Sequence, residues 1–341
     1  MSDPFSAEAS NKVDTRGVRA TYERWPSLAR EGFKVKVELP GRVRSKAYVL
    51  GMGGSASGGD ILAGWLSGRE GIEMEVFKGH LPIGDMSDAI AIASSASGQT
   101  EETILMMKTA LEKGATVVSI SGGGKLKEVS ANLGVPHIDM PEVVAPRYML
   151  PFIIFSTLAV VNRGLDLGAE EEAVQAFTAM DEEAKEVNIS VDPSKNGAKS
   201  LALKILDKTP AIFGARVTHG VGIRFKNVLN ENCKKHAYFD GVPDAFHNEI
   251  EAWEDPRTDF VPIFLRHSLE SERDRERTDV MFDILTKSGK SPVQLRGRGK
   301  PSLGQLVSLV YRLDMTSYYL AVALGRDPFP TRHIDALKKS T

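Results

Sequence analysis

The chain has one cysteine, Cys233, in 341 residues. A lone thiol excludes an internal disulfide framework and fits a reducing compartment. An excess of charge of one sign is also missing: 43 lysines and arginines stand against 45 aspartates and glutamates, a net charge of -2. No basic run is dense enough to neutralise a nucleic-acid backbone, so nucleic acid is not an expected partner. Long apolar runs are scarce. The most apolar stretch, Tyr148–Val161, is bracketed by Arg147 and Asn162 and falls short of a bilayer span. It predicts a buried helix between domains and no membrane partner. Met1-Ser-Asp-Pro-Phe-Ser6 has neither the basic start nor the apolar core of a secretory signal, and the expectation is a cytoplasmic protein. The histidines are scattered, so no metal is expected.

What is present is ordinary globular composition, with 42% hydrophobic and 26% charged residues in a chain longer than one typical domain. Residues 1–20 are polar and predict a loose or surface-docked segment. From Ala47 onward, short apolar runs alternate with helical spacing. Ala47–Leu50, Glu73–Phe77, Ala89–Ala93, Thr116–Ile120 and His137–Ile138 read as strands, with helices over 56–67, 101–113 and 125–133. This alternation predicts an α/β fold built on a parallel sheet flanked by helices. An acidic segment, Ala169–Glu186, leads to Val191-Asp-Pro-Ser-Lys-Asn-Gly197, whose turn residues suit a boundary. The pattern then restarts. Ala211–Ala215 reads as a strand entering a glycine turn, Gly222–Lys234 as a helix, Phe260–Leu265 and Pro292–Leu295 as strands, and Ser271–Lys287 as a solvated helix. Ala47–Asp60 and Pro210–Arg224 share the order strand, glycine, helix, which hints at duplication.

Two turns carry the chemistry. Ser95-Ala-Ser-Gly-Gln-Thr100 sets three hydroxyls between a strand and a helix start, and Gly51-Met-Gly-Gly-Ser55 repeats the design. Free amides and the dipole of a helix N-terminus favour an anion there, so a phosphorylated small molecule is expected between the turns. Ordinary capping by Ser97 or Thr100 explains one hydroxyl and not all three. The first turn is a poor dinucleotide fingerprint and lacks the Gly-Lys-Ser/Thr ending of a nucleoside-triphosphate loop. Further on, Asn230-Glu-Asn232 closes a helix, and His247-Asn-Glu-Ile-Glu-Ala-Trp253 reads as opening another, where the dipole would keep the imidazole neutral. Glu231 and His247 could share acid/base work, although each alone is equally a surface cap or a helix-start residue.

With Ala145-Pro-Arg147 and the C-terminal Tyr318-Tyr-Leu-Ala321, Gly325-Arg-Asp-Pro328 and Ile334…Leu337-Lys338 added, these motifs occur in an order that resembles the bifunctional phosphoglucose/phosphomannose isomerase family of the sugar-isomerase (SIS) superfamily. The resemblance runs from about residue 40 to 338. It implies two SIS-type domains, each a parallel sheet flanked by helices: an N-terminal extension over 1–30, a first domain with the sugar-phosphate loops over 31–165, a helical linker over 166–197, and a second domain with the C-terminal tail over 198–341. It implies that Gly53, Gly54, Ser55, Ser95, Ser97 and Thr100 hold the substrate phosphate. Arg147 would stabilise an enediolate, Glu231 would move the proton between C1 and C2, and His247 would assist ring opening from the partner subunit of a homodimer. Gln99 stands where many relatives carry asparagine. The family adds a C-terminal threonine, for which Thr316 is the candidate specificity residue, and a lysine, near whose place Tyr319 and Arg326 stand. The implied activity is interconversion of glucose 6-phosphate and fructose 6-phosphate, extended to mannose 6-phosphate, with no cofactor and no metal. A non-catalytic sugar-phosphate regulator and an amino-sugar phosphate isomerase remain as alternatives.

Overall fold

The computed structural model describes residues 4–39, 44–82, 84–255, 259–299 and 302–340. Three helices precede the first strand: α1 (Ala7–Val13), α2 (Val18–Glu23) and α3 (Trp25–Phe33). Residues 4–20 lie mostly at the surface, as expected of a docked segment, but Phe5 and Val18 within it are buried, as are Tyr22 and Trp25 just after it. A few large side chains, spaced along polar helices, carry this segment into the core, and average polarity hides them.

The first sheet contains β1 (Lys46–Gly51), β2 (Glu73–Phe77), β3 (Ala89–Ser95), β4 (Thr116–Ser121) and β5 (His137–Asp139). Its order is β2-β1-β3-β4-β5 and every pairing is parallel. Helices α4 (Gly54–Leu66), α5 (Glu101–Glu112) and α6 (Gly124–Asn132) connect these strands. The β3 strand is buried along its whole length, as a continuous apolar run in a sheet covered on both faces should be.

A 3-10 turn, Pro146–Met149, leads into α7 (Leu150–Leu165). The segment Pro146–Leu165 is apolar and long enough to cross a bilayer by composition, but 94% of its most apolar window is buried inside the protein. It is a core helix, packed on α3 and α4. Next come α8 (Glu170–Glu186) and α9 (Gly197–Lys204). The second sheet follows, with β6 (Thr209–Gly214), helix α10 (His219–Cys233), β7 (Tyr238–Gly241), β8 (Phe260–Arg266), α11 (Glu272–Lys287) and β9 (Val293–Arg296). Its order, β7-β6-β8-β9, is again parallel and repeats the β2-β1-β3-β4 arrangement of the first sheet. The shared strand–glycine–helix pattern of the two halves thus corresponds to a shared topology.

Helix α12 (Ser302–Ala323) packs on α8, α9 and α10, and α13 (Arg332–Ser340) ends the described chain. Helical periodicity does not single out 302–323, because this helix is buried on nearly every face and has no polar stripe to set the phase. The strand-following helices of the two sheets, α4 and α10, also meet directly. A Cβ on Gly220 would lie 2.6 Å from the Asp60 carbonyl carbon, and one on Gly64 would lie 2.5 Å from the Val217 oxygen. Glycine is therefore needed at this crossing. Gly220→Ala should destabilise the protein by about 1–3 kcal/mol through backbone displacement. Chemical denaturation checks this, and an unchanged midpoint would contradict so close a crossing.

Candidate active site

The strands β1 and β3 lie side by side, with Gly51 opposite Ser94, while their onward connections run to opposite sides of the sheet. A crevice opens at such a switch point, outside the carboxyl ends of the strands. Both hydroxyl-rich turns border it. The Ala96 amide donates to Ser55 Oγ at 3.1 Å and so ties one turn to the other. Within the second turn Ser95 Oγ donates to Thr100 Oγ1 at 2.9 Å, and the Gln99 amide donates to Ser97 Oγ at 3.2 Å. A hydroxyl that accepts keeps its own proton to donate, so Ser55, Ser97 and Thr100 can each still give a hydrogen bond to a ligand.

Helices α4 and α5 both start here, and neither has a side-chain cap hydrogen bond. The hydroxyls are not spent on capping; at α4 the Ser55 and Ala56 amides already donate to the Met52 and Gly53 carbonyls at 3.1 and 3.2 Å, so the helix-start amides left for an anion are chiefly those opening α5. A third turn supports this one from behind. The Gly122 amide donates to the Ala96 carbonyl at 3.1 Å and the Leu126 amide to the Gly98 carbonyl at 2.8 Å. Gly98 has φ +66°, and a Cβ there would sit 1.8 Å from the Gly123 oxygen, so no other residue fits.

Arg147 borders the first turn: a Cβ on Gly54 would lie 3.7 Å from the Arg147 Cα. Its place follows from the chain's entry into α7. Ala145 is extended, as a residue before proline should be, and Pro146 opens the 3-10 turn. The side chain is buried to 8% exposure, and its guanidinium lies 4.5 Å from the centre of the Tyr148 ring. Nε donates to Asn232 Oδ1 at 3.1 Å, while Nη2 donates to the carbonyls of Pro328 at 2.6 Å and Phe329 at 2.5 Å.

Glu231 approaches the same guanidinium, Oε2 to Nε 3.8 Å, and its side chain is 26% exposed. Neighbours in a helix point about 100° apart, which lets Asn232 anchor in the core while Glu231 reaches the edge of the crevice. Helix α10 ends on Lys234, held at φ +53°. The Lys234 ammonium donates to the Asp327 carbonyl at 2.8 Å, and its pKa is lowered by burial and by nearby Arg147.

Two expected site residues lie apart from this group. His247 is exposed and sits between two 3-10 turns, Asp244–Phe246 and Glu249–Glu254, so no α-helix dipole acts on it. The expectation of a helix start there is corrected, because the segment closes only 3-10 turns. No hydrogen bond or ion pair among the described residues joins its ring to Glu231 or Arg147. Thr316 is fully buried in α12 and donates to the Arg312 carbonyl at 2.9 Å. Its neighbour Ser317 is the residue that meets the site's support, accepting from Asn232 Nδ2 at 2.8 Å. Tyr319 donates to the Val187 carbonyl and Arg326 to that of Cys233.

Comparison with known proteins bears on this geometry. Residues 194–340 match the family described as bacterial phospho-glucose isomerase C-terminal SIS domain. A bifunctional phosphoglucose/phosphomannose isomerase of Caldicellulosiruptor bescii is 31% identical over 313 residues, covering 90% of this chain and 92% of that protein. The chain belongs to the bifunctional phosphoglucose/phosphomannose isomerase family. Another such protein, from Aquifex aeolicus, is 30% identical over 85% of this chain and 88% of its own length. The fold is also that of a hypothetical protein TT0462 of Thermus thermophilus, with a TM-score of 0.74 at 15% identity over 95% of this chain and 89% of that one.

For a member of the phosphoglucose/phosphomannose isomerase family, the donor set at the crevice is informative. Among the described residues no group of three or more histidine, cysteine, aspartate or glutamate side chains could hold a metal. A cavity of about 390 Å³ lies elsewhere, over the second sheet, lined by Phe213, Tyr238, Asp240, Glu249 and Trp253. None of the turn residues lines it, and the chemistry at the crevice outweighs its volume. Residue types alone missed Tyr22, Arg224 and Asp314 beneath the site. The signal available was a pair of charges, each set among apolar neighbours within a helix.

Cys233 sits at the end of α10, donating to the Ser317 carbonyl at 2.9 Å, and burial pushes its thiol up to about 12. The thiolate is the reactive form. Alkylation at pH 8 should therefore be negligible in the native protein and appear in step with unfolding. Rapid labelling of folded protein would contradict the seating of α10 on α12.

Proposed function

We propose that this chain is an aldose–ketose isomerase acting on hexose 6-phosphates, interconverting glucose 6-phosphate with fructose 6-phosphate and mannose 6-phosphate with fructose 6-phosphate. The carrying observation is the juxtaposition of two uncapped helix starts with a cation–carboxylate pair at one crevice. The phosphate binds at Gly53, Gly54, Ser55, Ser95, Ser97 and Thr100, and this anchoring holds C1 and C2 beside Glu231. His247, contributed by a second copy in a homodimer, passes a proton to the ring oxygen as the bond from that oxygen to the anomeric carbon breaks, while the anomeric hydroxyl gives its proton to solvent and becomes the carbonyl. The exposure of His247 and its separation from Glu231 within one chain support that assignment.

The Glu231 carboxylate then takes the proton from C2 of the aldose, or from C1 of the ketose. The C–H electrons become the C1–C2 double bond, and the carbonyl oxygen becomes an oxyanion. Arg147 stabilises this charge more than it stabilises the ground state, through the guanidinium nitrogen Nη1. Protonated Glu231 returns the proton to the neighbouring carbon, and the hydroxyl proton moves between O1 and O2. Rotation about C2–C3 would expose either face of C2 and give both aldoses. The carbon-bound proton moves on Glu231 and the ring-oxygen proton on His247, so the scheme calls on no metal or cofactor. Its impermeant, phosphorylated substrate suits a cytoplasmic enzyme.

The test is incubation of chelator-treated protein with fructose 6-phosphate, scoring the two aldose phosphates separately. Both products are expected. Binding without either product would favour the sugar-phosphate regulator, and turnover only of glucosamine 6-phosphate would favour the amino-sugar isomerase. Glu231→Gln should retain binding and lose turnover by about 10³-fold, within the range for a removed acid/base group. Ser97→Ala should mainly raise KM. Retained turnover in Glu231→Gln would remove that residue as the base.

A further inference from the structure

Beneath the Arg147–Glu231 pair lies a closed polar circuit that the isomerase scheme does not use. Arg224 and Asp314 have side chains exposed to only 2% and 0%. Arg224 grips Asp314 with two nitrogens, Nη2 to Oδ2 at 2.6 Å and Nε to Oδ1 at 3.1 Å. The same Nη2 donates to the main-chain carbonyl of Arg147 at 2.8 Å. Asp314 Oδ2 also accepts from the Tyr22 hydroxyl at 3.2 Å, and that hydroxyl accepts from Asn232 Nδ2 at 3.0 Å. Asn232 Oδ1 closes the ring by accepting from Arg147 Nε at 3.1 Å and from the Tyr148 hydroxyl at 3.1 Å. Arg147 is thus held at both ends: its carbonyl by Arg224, its guanidinium by Asn232.

Desolvation makes such a pair a poor source of stability, since well-packed apolar side chains of similar volume are often as good or better. Burial opposes both charges, and the pairing with Asp314 keeps Arg224 above its ordinary pKa. What the ion pair supplies and an apolar pair could not is direction. Two hydrogen-bonded routes of the circuit converge on the Arg147 carbonyl and Nε, and with Nη2 held by the Pro328 and Phe329 carbonyls, Nη1 is the guanidinium nitrogen with no partner among the described residues. Arg224 and Glu231 lie about two turns apart on α10, so the rotation of that helix that seats Arg224 also sets Glu231.

We infer that the buried Arg224–Asp314 pair, with Tyr22 and Asn232, is a positioning device that fixes the Arg147 guanidinium and Glu231 in register for proton transfer. This deepens the isomerase reading above and rests on it. The members of the pair are positioning residues: Arg224 holds the Arg147 main chain, and Asp314 holds Arg224.

The experiment compares kcat and KM for fructose 6-phosphate in the unsubstituted protein, in Arg224→Met/Asp314→Leu and in Tyr22→Phe, with thermal midpoints measured alongside. The double variant replaces the ion pair by apolar bulk but takes a partner from the Arg147 carbonyl and the Tyr22 hydroxyl, so it should still fold with a midpoint close to that of the unsubstituted protein. Its kcat should fall about 10- to 100-fold, because misplacement by about an ångström costs that much, while KM changes less than about threefold. A folded double variant with kcat within twofold, or one whose loss lies in KM, would overturn the inference. Should the double variant fail to fold, Tyr22→Phe decides. It cuts one link at constant shape and should lower kcat about three- to tenfold at unchanged KM. Unchanged kcat there would overturn the inference. No turnover in the unsubstituted protein would overturn the isomerase reading and this inference together; normal turnover with unaffected variants overturns the inference alone.

Discussion

The placement of one arginine organises this molecule. Arg147 is nearly buried, so its charge must be met by hydrogen-bond acceptors, and those acceptors come from distant parts of the chain. Asn232 supplies one from the end of α10, while Pro328 and Phe329 supply two from the segment after α12. Its main chain is held in turn by Arg224. A buried cation left unpaired would cost several kcal/mol, so folding strongly favours bringing these segments together. The first sheet, the second sheet and the C-terminal segment therefore converge on the place where the hydroxyl-rich turns end.

The two sheets divide the work. The first has a switch point between β1 and β3, with two helix N-termini opening beside it, which is a physical basis for holding an anion. The second contributes α10, whose last turns bring a carboxylate to the crevice edge. The glycines at the α4–α10 crossing let the two halves approach closely enough for these parts to meet. Repetition of the strand order in both sheets makes the division notable: similar scaffolds supply two helix starts at the crevice in one case and the Glu231 carboxylate in the other.

Much of this was legible in the sequence, and the reasons are specific. The runs Ala89–Ala93 and Thr116–Ile120 are apolar without alternation, the pattern of strands buried on both faces, and the hydroxyl-rich turns follow immediately. Glu231 and Arg147 stand out through the motifs around them. Helix α12 was illegible because burial on all sides removes its periodicity. The N-terminal helices were hidden by polar composition, although Phe5, Tyr22 and Trp25 carry them inward. His247 precedes 3-10 turns that short-range spacing cannot separate from an α-helix start. The circuit of Tyr22, Arg224 and Asp314 spans 292 positions in its Tyr22–Asp314 hydrogen bond alone, so only the fold reveals it.

The most direct test of this account is a crystal structure with a stable C1-carboxylate analogue of the enediolate. The phosphate should lie within about 2.7–3.2 Å of hydrogen-bond donors in the 53–55 and 95–100 turns. The analogue's C1 and C2 should stand about 3–3.5 Å from a Glu231 carboxylate oxygen, with Arg147 on the carboxylate. A phosphate seated in the cavity over the second sheet, with Glu231 out of reach of both carbons, would contradict it.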